Sequence, residues 1–253
     1  MRRFAVLLLA FAVFAACQAA LADLILTGTV RDFKMFGTPG GHPDFQNLGG
    51  DDRGMVESVL GADGKPVYAS ATTTPTTHGR ALFDQWYRDV PGVNMSMPYA
   101  ITLADIGGGI YHYANSAFFP IDNQLFGNQE LLNNFAFTYE INTRFTYRPG
   151  QTFAFSGDDD LWVFIDRRLV IDLGGVHGAQ SASVDLDTLG LTAGNPYSLD
   201  IFFAERHTTQ SNFAIDTSIL LEQPAVPEPM SWIVWSLMGA CAAAFGWWRR
   251  RRE

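Results

Sequence analysis

Residues 157–166 read Gly-Asp-Asp-Asp-Leu-Trp-Val-Phe-Ile-Asp. Three adjacent carboxylates stand against an apolar run with the look of a fully buried strand. Like charges repel, and a charge at the edge of a low-dielectric core is costly unless a positive partner lies beside it. Two chemistries answer the problem. Either water solvates all three in a turn, where Asp is favoured in any case, or a cation is part of the fold. The donors on offer are oxygens. The only cysteines, Cys17 and Cys241, lie near the two ends, and His42, His78, His112, His177 and His207 are scattered without metal-ligand spacing. Oxygen ligands without thiolate or clustered imidazole suit calcium, which takes six to eight of them at about 2.3–2.6 Å.

Other chemistries are poorly served. The chain has no G-x-S-x-G, no H-E-x-x-H and no P-loop. Glycoside hydrolysis needs two carboxylates at a fixed separation, but a chain this acidic contains such pairs by chance, so no catalytic residue is assigned. Glu205-Arg206 reads as a local ion pair rather than a catalytic dyad.

The two ends read as address labels. Residues 1–22 combine Arg2-Arg3, an apolar run and Ala20-Leu21-Ala22, the pattern of a secretory signal peptide. Residues 230–248 carry no formal charge, are long enough to cross a bilayer, and precede arginines 249–252, which places the C-terminus in the cytoplasm. A Pro-rich spacer, 223–229, joins this expected transmembrane helix to the exported body. The ends hold six of the 17 basic residues and one of the 26 acidic ones, so the body keeps 11 bases against 25 acids. That surface argues against nucleic acid, whose phosphates demand Lys and Arg. It favours cations. With no cysteine, the body also lacks any disulfide or thiol nucleophile.

The elements that must position the acids are strands. From 135 to 147 the odd positions are Phe, Phe, Tyr, Ile, Thr, Phe and Tyr, while the even ones are Ala, Thr, Glu, Asn, Arg and Thr, a long half-buried strand. Pro149-Gly150 turns into an alternating 152–156. Residues 161–165 form a fully apolar strand in which Trp162 is core, and 166–168 turn it into 169–171 as a hairpin. Alternation returns at 197–203 and 213–219. The fold class is therefore all-β, an antiparallel sandwich. Residues 34–120 are rich in Gly, Pro and Asp but carry too many aromatics for disorder, so they read as loop-rich insertions packed on the sandwich. A short helix is expected within 124–134, and 72–77 is expected to be the most flexible piece.

Two resemblances sharpen this. Val226-Pro227-Glu228-Pro229, the apolar span and the terminal arginines resemble the PEP-CTERM sorting signal, in which Pro227, Glu228 and Pro229 mark recognition by an exosortase. The resemblance implies a membrane-anchored precursor that passes to the cell surface or extracellular matrix. The body, through 28–33, 42–45, 60–68, 86–94, 155–166, 172–177, 203–207 and 211–213, resembles the fibro-slime domain, and its C-terminal half is similar to the protective-antigen-type β-sandwich. In that family two aspartates, often joined by a cis peptide, precede a strand-turn-strand and bind a calcium that also ligates sugar hydroxyls. Position by position this implies Asp158 and Asp159 as metal ligands, with Asn212 from a later loop. Asp160, His177, His207, Gln210 and Ser211 are the accompanying ligand-binding candidates, and Trp86 and Tyr87 are more distant stacking candidates.

The combined expectation is a noncatalytic, calcium-dependent adhesion module that binds exopolysaccharide or another glycan. The alternative is a structural matrix component with no discrete ligand.

Overall fold

The computed structural model describes residues 23–222. The expected signal peptide (1–22), the Pro-Glu-Pro spacer and the segment 230–253 lie outside these residues. Among the described residues no helix is long and apolar enough to cross a membrane. The expectation of a membrane-anchored precursor is corrected accordingly.

The strands are β1 (Leu24–Phe33), β2 (Gly50–Asp51), β3 (Asn94–Asp105), β4 (Tyr111–Asn115), β5 (Phe137–Thr146), β6 (Thr152–Gly157), β7 (Asp160–Ile165), β8 (Arg168–Leu173), β9 (Gly175–Val176), β10 (Gln180–Asp185), β11 (Pro196–Glu205) and β12 (Phe213–Thr217). A single four-residue α-helix among the described residues, α1, spans Arg80–Phe83. Ten strands form one sheet in the order β10-β6-β12-β4-β3-β1-β5-β11-β7-β8, and β2 pairs with β9 alone. Every pairing between these strands is antiparallel.

The long sheet folds over on itself at β3. Residues 94–103 of that strand pair with β1, and Ala104 and Asp105 pair with β4. The two halves then face each other across a shared core. The Phe203 ring lies 5.2 Å from Phe213 and 6.4 Å from Phe155 on the opposite half. Alternation set this face: Phe137, Tyr139, Ile141 and Phe145 of β5 all point into it and are buried.

Alternation did not anticipate that the other face of the same strands is also covered. Thr138 and Glu140 are buried, because the loop-rich 33–87 region lays a second aromatic cluster over them. Phe45, Phe83, Trp86 and Tyr87 pack there with Trp162, Phe164 and Phe202. From Leu161 on, β7 is consequently apolar, with Leu161, Val163 and Ile165 facing the main core and Trp162 and Phe164 facing the second. Trp86 and Tyr87 are buried, which removes them as surfaces for a sugar to stack on. The β7–β8 hairpin forms as the sequence predicts. Asp166 (φ 51°) and Arg167 (φ 66°) take the left-handed conformation that a two-residue turn needs to match strand twist.

Two local expectations fail. Residues 124–134 form turns, with Leu125, Gln129 and Glu130 at positive φ, a backbone no α-helix accommodates. The 72–77 segment is a strap rather than a free loop. Thr76 and Thr77 are buried, and Asp52 Oδ2 accepts hydrogen bonds from Thr76 N (3.0 Å) and Oγ1 (2.7 Å).

The turn-rich 122–134 segment is pinned to β1 by a buried acid. Asp32 accepts from Asn134 Nδ2 at 2.9 Å and Phe126 N at 2.7 Å. Burial pushes its carboxyl up to about 7, against the pull of these donors. A folded-state value above the unfolded one means that the group's contribution to stability is fully present below about pH 4 and is lost as pH rises through about 7. Denaturant midpoints measured from pH 4.5 to 8 should show this loss, and Asp32→Asn, neutral throughout, should make the profile shallower by the part that Asp32 contributes.

Candidate functional site

β6 belongs to one half of the folded sheet and β7 to the other, so the chain crosses between them at Asp158-Asp159. The bond between these two residues is cis. The crossing begins at Gly157, where a Cβ would sit 2.7 Å from Asn212 O and 2.6 Å from the Phe155 ring, so only glycine fits. β11 runs antiparallel to β7 with Ala204 opposite Asp160. Extending that register by one residue brings Glu205, at the end of β11, beside the aspartates, with Arg206 next.

This placement gives each aspartate a different role. Asp160 is fully buried. Its Oδ2 accepts from Arg206 Nε at 2.6 Å, and its Oδ1 accepts from Gly175 N at 2.6 Å. Arg206 is equally buried. Its guanidinium also donates to Asp44 O (3.2 Å), Thr76 O (2.6 Å) and Thr76 Oγ1 (3.1 Å), and lies 4.5 Å from the Trp86 ring centre. Asp159 accepts from His177 N at 3.1 Å and Arg206 N at 2.9 Å. Asp158 accepts from Asn212 N and, at 2.8 Å, from Asn212 Nδ2.

One cation among the acids is therefore the chain's own arginine. The local Glu205-Arg206 pair expected from sequence does not form, because Arg206 turns to Asp160, 46 residues away. Glu205 is left as a buried carboxylate. Its Oε1 accepts from His207 N at 3.3 Å, and its Oε2 has no hydrogen bond of good geometry.

Asp158 and Asp159 line a cavity of about 270 Å³ together with Gly49, Val176, His177, Gly178, His207, Thr209 and Gln210. The fold thus collects His177, His207 and Gln210 around the aspartates, from segments 18 to 52 residues downstream in sequence. Three other candidates fall elsewhere. Asp160 is consumed by the arginine. Ser211 is buried and donates to Phe118 O at 2.7 Å. Asn212 holds Asp158 through its amide nitrogen instead of lining the cavity. Glu205 and Arg206 were missed as site residues. Their signal was nonetheless present, since Glu205 adjoins the apolar 201–204 run as the aspartates adjoin 161–165.

The electrostatics carry the strain of three neighbouring acids. Burial pushes the Asp159 carboxyl up to about 8 despite the Arg206 guanidinium, with Asp160 and Asp158 adding to the rise. Burial and the charge of Asp159 hold Glu205 well above the usual carboxylate range. Among the described residues no three Asp, Glu, His or Cys side chains are assembled as a metal cage. The donor set still suits a hard cation: two adjacent carboxylates open to a cavity, an orphaned carboxylate oxygen behind them, and no sulfur. Such a cation would be held by Asp158 and Asp159, with the rest of its shell drawn from backbone, Gln210 and water.

The chain is 43% identical over 208 residues to protein psiQ of Dictyostelium discoideum, covering 76% of this chain and 21% of that protein. It is 40% identical over 211 residues to protein psiD of the same organism, covering 78% and 42%. It thus spans between about a fifth and two-fifths of the length of these curated relatives. Among solved structures, a PA14 sugar-binding domain from an RTX adhesin aligns at 10% identity with a TM-score of 0.34, over 78% of this chain and 94% of that one. The PA14 domain of MpAFP antifreeze protein aligns at 11% with a TM-score of 0.35, over 81% and 96%. These findings correct the fibro-slime and PEP-CTERM identification, for which they give no support. Residues 116–229, which carry both crossing aspartates, Arg206 and every cavity residue except Gly49, match the family model of the PA14 domain.

Proposed function

We propose that the protein is a noncatalytic carbohydrate-binding module of the adhesion type, acting at the cell surface or in the extracellular matrix, whose glycan enters the Asp158-Asp159 cavity with the help of calcium. The observation that carries this reading is the gathering of two adjacent carboxylates with His177, His207 and Gln210 around one cavity, all within the stretch that matches the PA14 domain.

Bound calcium supplies positive charge and open coordination positions for sugar hydroxyls. The chain's own residues prepare the place. Asn212 and the backbone N–H groups of His177 and Arg206 fix the two carboxylates, each using lone pairs that leave others facing the cavity. His177, His207 and Gln210 offer nitrogen and oxygen groups at the rim for the remaining hydroxyls. Asp160 and Arg206 neutralise each other beneath, so the carboxyls left for a cation are Asp158, Asp159 and Glu205, the last two giving up protons as it binds.

The test is a glycan array probed with the protein in millimolar calcium and again in chelator. Binding to a defined set of glycans that disappears with chelator, and with Gln210→Ala in calcium, is the expected result. An array that stays blank in calcium would leave the structural matrix component as the better reading.

A further inference from the structure

We propose that a second cavity, on the opposite face of the sheet from the main core, binds the carboxylate of an acidic sugar residue, a hexuronate, without any metal. The cavity measures about 410 Å³, within the range of small-ligand sites. Its floor is the outer face of β5 and β11, and its walls are the 60–65 turn and the β7–β8 turn. The 60–65 wall lies outside the stretch that matches the PA14 domain. The inference goes beyond the function proposed above and does not depend on it.

The floor is a grid fixed by strand register. Arg144 stands opposite Ser198, and Asn142 opposite Asp200. Cations are scarce between residues 23 and 222, yet Lys65, Arg144 and Arg167 all line this one cavity, beside the carboxylates of Asp63, Glu140, Asp166 and Asp200. Two of them are committed. Lys65 Nζ pairs with Glu140 Oε1, whose other oxygen takes Arg31 Nη1 at 2.9 Å. Arg167 Nη2 donates to the carbonyls of Leu60, at 3.0 Å, and Gly61. The exposed side chain of Arg144 has no hydrogen bond or ion pair among the described residues.

An uncommitted guanidinium at the edge of a cavity is a planar fork suited to a carboxylate. Across from it, Ser198 Oγ is buried beside the Asp200 carboxylate without a hydrogen bond of good geometry. One step along, Asn142 Nδ2 donates to Asp200 Oδ1 at 2.9 Å. A hydroxyl, an amide and a carboxylate in a row are acceptors and donors for ring hydroxyls. Guanidinium at one end and hydroxyl-binding groups beyond it describe a sugar that carries one acid group. A neutral sugar would leave Arg144 unused, and a phosphate, with about twice the charge of a carboxylate, would be repelled more strongly by Asp200 and Asp166.

The experiment is calorimetric titration of the full chain with trigalacturonate in the presence of EDTA, with the methyl ester of the same trisaccharide in parallel. Saturable binding of the acid, unaffected by EDTA, lost with the ester and weakened by salt, is expected. Arg144→Gln should weaken it about tenfold or more, with the melting temperature unchanged because the side chain is exposed. Absence of saturable binding, equal binding of the ester, or an unaltered Arg144→Gln variant each overturns the proposal. Binding that vanishes in EDTA overturns it too, since it would assign the uronate to the calcium cavity.

Discussion

Replacing Arg206 with methionine is expected to destabilise the protein by about 3–5 kcal/mol, the range for breaking one side of a buried ion pair. The size follows from what is left behind. Asp160 is wholly buried, and without the guanidinium it retains only the Gly175 N–H. The carbonyls of Asp44 and Thr76 lose their donor at the same time. These partners come from three separate segments, so Arg206 is what fastens the 44–76 loops to the sandwich edge. Methionine keeps much of the packing against Trp86 while removing the charge, which isolates the electrostatic part. Adding Asp160→Asn to Arg206→Met should recover a sizeable share of the loss, because no unpaired charge then remains. Urea midpoints of the two single variants and the double variant supply the measurement. A single variant within about 1 kcal/mol of the unaltered protein would show that water reaches the pair and that its burial is overstated.

Calcium should raise the melting temperature, and Asp159→Asn should abolish that rise. A ligand at about 100 times its dissociation constant adds about 2.7 kcal/mol when it binds only the folded state. For a chain of this length that corresponds to an increase on the order of 5–10 °C. The structural reason for a large response is that the metal-free site places Asp158, Asp159 and Glu205 together while Arg206 is already engaged with Asp160. A divalent cation takes the place of the protons that burial and crowding leave on Asp159 and Glu205, and that exchange exists only in the fold. Asp159→Asn takes away one of the two carboxylates open to the cavity yet keeps the shape of the crossing. Scanning calorimetry of both proteins, in calcium and in chelator, decides the matter. Identical melting of the unaltered protein in the two conditions would defeat calcium as a partner, whatever the variant does.

Both results turn on how far charge can be read along a chain. The acidic triplet announced itself, because three carboxylates at the mouth of an apolar strand pose a problem visible in ten residues. The way each is satisfied did not show. Asp160 finds Arg206 across a strand register, Asp158 finds Asn212, and Asp159 receives two backbone N–H groups. Sequence adjacency suggested Glu205 as the partner of Arg206, and adjacency misleads at a strand end, where successive side chains point to opposite faces.

By itself the sequence determined the all-β class, the inward residues of β5, the hairpin at Asp166-Arg167 and the core position of Trp162. Each of these rests on local periodicity or on turn chemistry, which the chain carries in a few neighbouring residues. Only the tertiary structure decided that the second face of β5 and β7 is also buried, that 72–77 is a strap under Arg206, and that His177, His207 and Gln210 share a cavity with Asp158 and Asp159. Those facts depend on which strands become neighbours and in what register. The pairing energy is spread over contacts between segments tens of residues apart, so no window of sequence contains it.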